Sequence, residues 1–166
     1  MKKNGFTLIE ILIVVAMVMV IMVSISGIMS GVFNSQNKNR ASDLITQNGS
    51  WILNELKKNV LNADSSGQKF NCTSNSVQMV SVRDGEITTI QCANANIASV
   101  SAKGGTVNLI NNKELRLTGC GSFVTCSTMP SSQLSKVTFK FDLGSGAEGS
   151  LSETTKNFSI DVTLRN

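Results

Sequence analysis

The sequence predicts an α+β fold in which one long N-terminal α-helix packs on an antiparallel β-sheet. Two observations predict it. Residues 11–37 carry no charge, and apolar or small residues then recur at helical spacing as far as Ala63. The C-terminal part of the chain contains segments in which apolar and polar residues alternate, as in strands with one buried face. The stripe on the helix and the apolar face of the sheet can cover each other.

The composition argues against catalysis. A chain of 166 residues has room for one domain with an added element. It contains no histidine, so the usual general base near neutral pH and the commonest metal ligand are both missing. No Walker loop, nucleophile elbow, dinucleotide fingerprint or calcium loop occurs. We therefore predict a protein that is not an enzyme, with no catalytic residue, no metal site and no cofactor.

The first half of the predicted helix is long enough to cross a membrane, since residues 11–37 span about 40 Å at ~1.5 Å per residue. A secretory signal peptide would have an apolar stretch of about 7–15 residues before its cleavage site, and a simple membrane anchor would need about 20. Neither explains Glu10, the only charged residue between Lys3 and Lys38. A carboxylate inside a membrane helix costs up to about 3 kcal/mol and usually has a partner.

Proteolysis could create that partner. Cleavage between Gly5 and Phe6 would produce an α-amino group four residues before Glu10. In a staggered assembly, the amine of one subunit would neutralise Glu10 of its neighbour, and the pair would fix the register between the subunits.

The segment Gly5-Phe6-Thr7-Leu8-Ile9-Glu10, behind a short basic leader, resembles the processing site of type IV prepilins and type II secretion pseudopilins. The resemblance implies that a prepilin peptidase/methylase cuts after Gly5 and methylates Phe6, and that Glu10 aids filament assembly. It also implies the α+β pilin fold. The implied partners are other pilin or pseudopilin subunits, an assembly ATPase and a membrane platform protein.

The same resemblance implies a location. The chain would begin in the cytoplasmic membrane, crossing it once with its C-terminal domain outside the cytoplasm, and would end in an extracellular or periplasmic filament. Many major pilins carry a proline part-way down the first helix, whereas this chain has Gly27 and Gly31 in that region. These glycines could bend the helix or let helices approach closely. The missing proline favours a minor or initiating subunit.

Two alternatives stay open. One is a pilin at the filament tip that binds DNA or a surface, and the other is an anchored domain that never polymerises. Removal of the leader would leave 13 basic and 11 acidic residues, a balance that gives nucleic-acid binding little support. A DNA site would need the fold to bring together scattered basic residues, namely Lys57, Lys58, Lys69, Arg83, Lys103 and Arg116.

The predicted segments are a leader over residues 1–5 that is removed, an apolar helix over 6–37, an amphipathic half of the same helix over 38–63, and a sheet domain over 67–166. Residues 64–67 supply a plausible helix stop. The predicted stripe of the amphipathic half comprises Ala41, Ile45, Gly49, Ile52, Leu56, Val60 and Ala63, and Leu44, Trp51 and Leu53 widen it.

The strongest hairpin signal is Asp84-Gly85, which separates the strand-like segments 77–83 and 86–92. A two-residue turn at this position predicts that Val77 pairs with Cys92.

Two further strand pairs are predicted. Residues 106–110 and 114–118 form a hairpin in which a three-residue loop sets Val107 against Leu117. The clearest pair is the last, and residues 144–155 join its strands as an exposed loop. Its apolar positions are Val137, Phe139, Phe141 and Leu143 on one strand and Phe158, Ile160, Val162 and Leu164 on the other.

The four cysteines, Cys72, Cys92, Cys120 and Cys126, favour two disulfides in an exported chain. Three connectivities are possible, and the most local joins Cys72 to Cys92 and Cys120 to Cys126. A zinc site is the competing interpretation, but its usual C-x₂-C pairs are missing. A loop closed by Cys120 and Cys126 would display Phe123 to a partner or place it in the core, and we expect the core.

Overall fold

The computed structural model describes residues 7–63, 71–83, 85–111, 113–128, 134–145 and 153–163. These residues form one helix, α1 (Leu8–Leu61), and nine strands. The chain separates into two compact units, Met1–Asn39 and Arg40–Asn166. The strands are β1 Asn71–Cys72, β2 Ser76–Val80, β3 Ile87–Ala93, β4 Asn96–Ser101, β5 Gly105–Asn108, β6 Leu115–Gly119, β7 Val124–Thr128, β8 Leu134–Ser145 and β9 Thr154–Thr163.

The first unit contains the apolar part of α1. All of its described residues are exposed. By length and composition alone, α1 is able to cross a membrane. Ser24 and Ser26 donate their hydroxyl hydrogens to backbone carbonyls one turn earlier, both at 2.9 Å. These side chains are therefore satisfied without solvent, and the helix is continuous through Gly27 and Gly31.

The amphipathic part of α1 belongs to the second unit, and its predicted stripe is confirmed. Trp51, predicted to widen the stripe, is instead 48% exposed. The predicted stop at residues 64–67 lies outside the described residues. The buried positions are Ala41, Ile45, Gly49, Ile52, Leu56, Val60 and Ala63.

The predicted sheet is in fact two antiparallel sheets. The first has the strand order β1-β2-β3-β4-β5. In the second sheet, every residue of β9 pairs with β8. Strands β6 and β7 pair with different parts of β8. One hydrophobic core contains side chains of α1 and of both sheets, including Leu56, Ile90 and Phe139.

The first predicted hairpin forms, but the predicted register is wrong. Val77 pairs with Ile90 and not with Cys92, a shift of two residues. The cause is a contact with the end of α1. Ser81 pairs with Ala63, and the backbone N–H of Val82 donates to the carbonyl of Asn62 at 2.9 Å. These contacts take Val82 and Arg83 out of the ladder, so the turn is longer than two residues; Asp84 lies outside the described residues.

The second predicted hairpin is wrong. Strand β5 pairs with β4, and β6 pairs with β8 in the other sheet, so Val107 and Leu117 are not partners. Strand β4 was not predicted. It follows β3 through a tight turn at Asn94 and Ala95, whose φ angles of 53° and 56° are both left-handed.

The third predicted pair is confirmed. Phe141 pairs with Phe158 and Phe139 with Ile160, as the alternating apolar positions require. The connection is shorter than predicted because β8 continues to Ser145 and β9 begins at Thr154. Leu164 and residues 146–152 of the connection lie outside the described residues.

Both disulfides join the two sheets. Cys72 of β1 bonds to Cys126 of β7, and Cys92 of β3 bonds to Cys120, which follows β6. The Cα–Cα distances of 6.5 and 5.8 Å are ordinary for disulfides. The most local connectivity is therefore not the one that forms, and no cysteine is left as a free thiol.

Because Cys120 and Cys126 are not bonded to each other, they do not close a loop around Phe123. The ring of Phe123 is fully buried, with its centroid 5.5 Å from that of Phe139 and 6.5 Å from that of Phe141. The core position expected for Phe123 is confirmed, since a side chain with no exposed surface cannot display a contact site.

Candidate processing and assembly segment

The start of α1 holds Glu10 in the first helical turn. Thr7 immediately precedes the helix, and its carbonyl accepts hydrogen bonds from the backbone N–H groups of Glu10 at 3.1 Å and Ile11 at 3.4 Å. Threonine before the first turn with glutamate three residues later is the pattern of a capping box. The positive end of the helix dipole also favours a carboxylate at this position. The pattern Thr-x-x-Glu could have predicted this start from sequence.

Apolar side chains surround Glu10 along the chain. Leu8 is 79% exposed and Ile9 is 68% exposed, and Ile11 and Leu12 are exposed as well. Within the described residues, Glu10 makes no ion pair. A carboxylate placed in an apolar surface is well solvated in water, but it requires a partner once lipid or protein covers that surface.

Glu10 was predicted for assembly; the two residues predicted for processing, Gly5 and Phe6, lie outside the described residues. The structure therefore locates Glu10 at the start of α1, and the peptide bond between Gly5 and Phe6 is known from sequence alone.

The basic residues considered for DNA binding lie on separate elements of the second unit. Lys58 is on α1 and pairs with Glu55 at 3.8 Å. Lys103 in the β4–β5 turn pairs with Glu86, and Arg116 on β6 pairs with Glu153. Lys69 lies outside the described residues. Lys57 and Arg83 make no ion pair within the described residues. Two unpaired cations are fewer than the basic surface that successive phosphates require.

A family model described as the prokaryotic N-terminal methylation motif matches residues 1–26. The chain carries a prepilin-type methylation motif. Together with the long apolar helix, this motif is consistent with type IV pilins and pseudopilins, as the resemblance at Gly5–Glu10 predicted. No curated protein and no solved structure matches the chain.

The methylation motif also gives an indication of the broad class of the protein. It points to a structural protein, it implies processing by a prepilin peptidase, and it implies assembly with other pilins. An apolar helix that begins within this motif fits anchoring in a membrane, with the second unit as the C-terminal domain.

Proposed function

We propose that this protein is a structural subunit of a type IV pilus or a type II secretion pseudopilus, cleaved after Gly5 and N-methylated at Phe6. The observation that carries the proposal is the methylation motif at residues 1–26. Glu10 lies in this motif and is the only charged residue of the helix before Lys38. A minor or initiating subunit fits best, because the first helix lacks the proline of many major pilins.

The proposed segments have different roles. The leader, residues 1–5, is removed; residues 6–37 first cross the cytoplasmic membrane and then form the filament core; residues 38–63 carry the helix into the sheet domain, residues 67–166. The C-terminal domain would lie outside the cytoplasm, where disulfides form readily. Two disulfides that join the sheets support this location. Extraction from the membrane would use an assembly ATPase and a membrane platform protein.

Cleavage supplies the charge that Glu10 lacks. The new α-amino group of Phe6 stays positive at neutral pH after methylation, since a secondary amine is also basic. In the filament, this group would pair with Glu10 of a neighbouring subunit. Leaving a buried charge without its partner costs about 3–5 kcal/mol, so a subunit placed at the wrong register is strongly disfavoured.

The mature N-terminus tests the processing step. Mass spectrometry of the chain from a strain with active prepilin peptidase should show N-methylated Phe6 as the first residue. A Gly5→Leu variant is the control, and it should retain the leader. A mature chain that begins at Met1, or one cut near Ser26, would refute the assignment.

Glu10 tests the assembly step. Glu10→Gln keeps the shape of the side chain and removes its charge, so we expect normal cleavage and strongly reduced incorporation into filaments. Asp43→Ala is the matched control, since it removes an exposed carboxylate from the same helix and should leave incorporation unchanged. Equal incorporation of Glu10→Gln and the wild type would refute the charge pair.

Filament incorporation and DNA retention separate the alternatives. A wild-type chain that is cleaved but never enters filaments would be an anchored domain. A pilin that captures DNA would show DNA retention that weakens steeply with salt.

A further inference from the structure

A cavity of about 250 Å³ lies in the second unit, between the end of α1 and the β2–β3 hairpin. The buried side chain of Met79 contributes to its wall, and the rest of the lining is polar. The polar lining residues are Glu55, Lys58, Asn59 and Asn62 from the helix, and Ser81, Arg83 and Thr88 from the hairpin.

Much of the hydrogen-bonding capacity of this lining is not used within the described residues. The side chains of Asn59, Asn62 and Thr88 form no hydrogen bond there, and the Arg83 guanidinium forms neither a hydrogen bond nor an ion pair. The hydroxyl of Ser81 accepts from the backbone N–H of Arg83 at 3.2 Å and keeps its own hydrogen to donate. Amides, hydroxyls and a guanidinium therefore present donors and acceptors to one space.

The charges of the cavity favour a ligand with one negative group. Lys58 is paired with Glu55 at 3.8 Å, whereas Arg83 has no carboxylate partner in the described part of the chain. A guanidinium binds a carboxylate through two parallel hydrogen bonds.

An aromatic residue outside the lining of the cavity lies one helical turn before Glu55. Trp51 precedes Glu55 by four residues and Lys58 by seven, so the three share one face of α1. Trp51 is 48% exposed although large aromatic side chains gain from burial, and it is the only tryptophan of the chain. Its flat apolar face suits the C–H face of a sugar ring.

We propose that this cavity binds a carboxylated sugar, such as a uronic acid. Arg83 would hold the carboxylate, Asn59 and Thr88 would bond the ring hydroxyls, and Trp51 would cover the apolar face of the ring. A nucleic acid suits the cavity less well, because successive phosphates need several unpaired cations. This proposal does not depend on cleavage or filament assembly. The ligand site and the proposed structural role can therefore fail independently of each other.

Titration of the full chain in detergent micelles with D-glucuronate tests the site. The single tryptophan allows its fluorescence to report directly on Trp51. We expect a saturable change in fluorescence. D-glucose, which lacks the carboxylate, and acetate, which lacks the ring, should each bind at least about tenfold more weakly than glucuronate. Arg83→Gln should weaken glucuronate binding by about tenfold or more. Trp51→Leu, followed by calorimetry, should also weaken it.

Arg40→Gln is the matched control, because it removes an exposed guanidinium from α1 about 22 Å along the helix from Glu55. It should bind glucuronate as the wild type does. Equal affinity of Arg83→Gln and the wild type would overturn the proposal, as would a lack of saturable binding up to about 10 mM. Salt-sensitive binding of a DNA oligonucleotide that glucuronate does not displace would point instead to nucleic acid.

Discussion

At the scale of single residues, Gly49 lets α1 and β9 approach closely. It lies in the buried stripe of the helix, and a Cβ built on it would overlap the ring of Phe158. Phe158 is itself stacked on Phe141, with ring centroids 5.4 Å apart, so the ring cannot move away without losing that contact. Glycine at this position is required by packing and not by backbone conformation.

We therefore expect Gly49→Ala to destabilise the second unit by about 1 kcal/mol net, because overpacking at ~1–3 kcal/mol exceeds the ~1 kcal/mol gained in helix propensity. Urea unfolding followed by Trp51 fluorescence measures the change. Gly31→Ala is the control, since no atom lies within 4 Å of a Cβ there and Gly31 belongs to the first unit, so it should not lower the midpoint of the second unit. In a Phe158→Leu background the Gly49→Ala penalty should shrink; an unchanged penalty would contradict the contact.

Asp161 gives a second test at this scale. Lys136 bonds one oxygen of its carboxylate at 2.6 Å and the hydroxyl of Thr138 bonds the other at 2.7 Å. These two hydrogen bonds hold the pKa of Asp161 below its ordinary value of 3.8. The pair stabilises the fold above the unfolded pKa, and this contribution is lost as the pH falls through the lower folded pKa. The contribution is small because the pair is exposed.

Lys136→Gln should raise the pKa of Asp161 towards 3.8, as measured by NMR titration of its side-chain carbon. Lys140→Gln is the control. Lys140 affects the same carboxylate only by its charge, so its loss should raise the pKa less. Identical pKa values in wild type and Lys136→Gln would show that the pair does not form in solution.

At the scale of elements, the two disulfides hold the sheets together. Cys72 and Cys126 are 54 residues apart, and Cys92 and Cys120 are 28 apart. Converting either pair to serine should cost about 2–5 kcal/mol of stability. Doubling the closed loop adds about 0.6 kcal/mol, so loss of the longer crosslink should cost more. Peptide mapping of the oxidised chain checks the connectivity, and a peptide joining Cys72 to Cys92 would contradict it.

The sequence predicts the helix well and the sheets only in part. The stripe from Ala41 to Ala63 is a local pattern whose period follows from helix geometry. The β8–β9 pair is predicted because both strands alternate apolar and polar residues. The β2–β3 register depends on contacts between Ser81, Val82 and the end of α1, which no local pattern encodes. The β3–β4 turn, Asn94-Ala95, lacks the glycine that usually marks such turns.

The two candidate sites differ in the same way. Gly5, Phe6 and Glu10 are close in the chain, so a local sequence motif is enough to identify them. The cavity joins the end of α1 with the β2–β3 hairpin, and Asn59 and Thr88 are far apart in sequence. Only the fold brings such residues together.

At the scale of the whole molecule, the two units have opposite relations to water. The described part of the first unit exposes its apolar side chains, and the second unit has its own hydrophobic core. A run of exposed apolar residues of this length requires lipid, detergent or other subunits to cover it.

A fragment of residues 34–166 should therefore fold without the rest. It keeps six residues before Arg40, so that the first N–H groups of the shortened helix fall outside the second unit. We expect a monomer in detergent-free buffer, with the same urea midpoint as the full chain in micelles, because every buried residue of α1 is retained. Light scattering measures the mass and Trp51 fluorescence follows unfolding.

A fragment that aggregates, or unfolds at lower urea than the full chain, would mean that the apolar helix stabilises the second unit. Asn39→Ala in the fragment is the control for the new helix start, since an exposed residue ahead of the core should leave the midpoint unchanged.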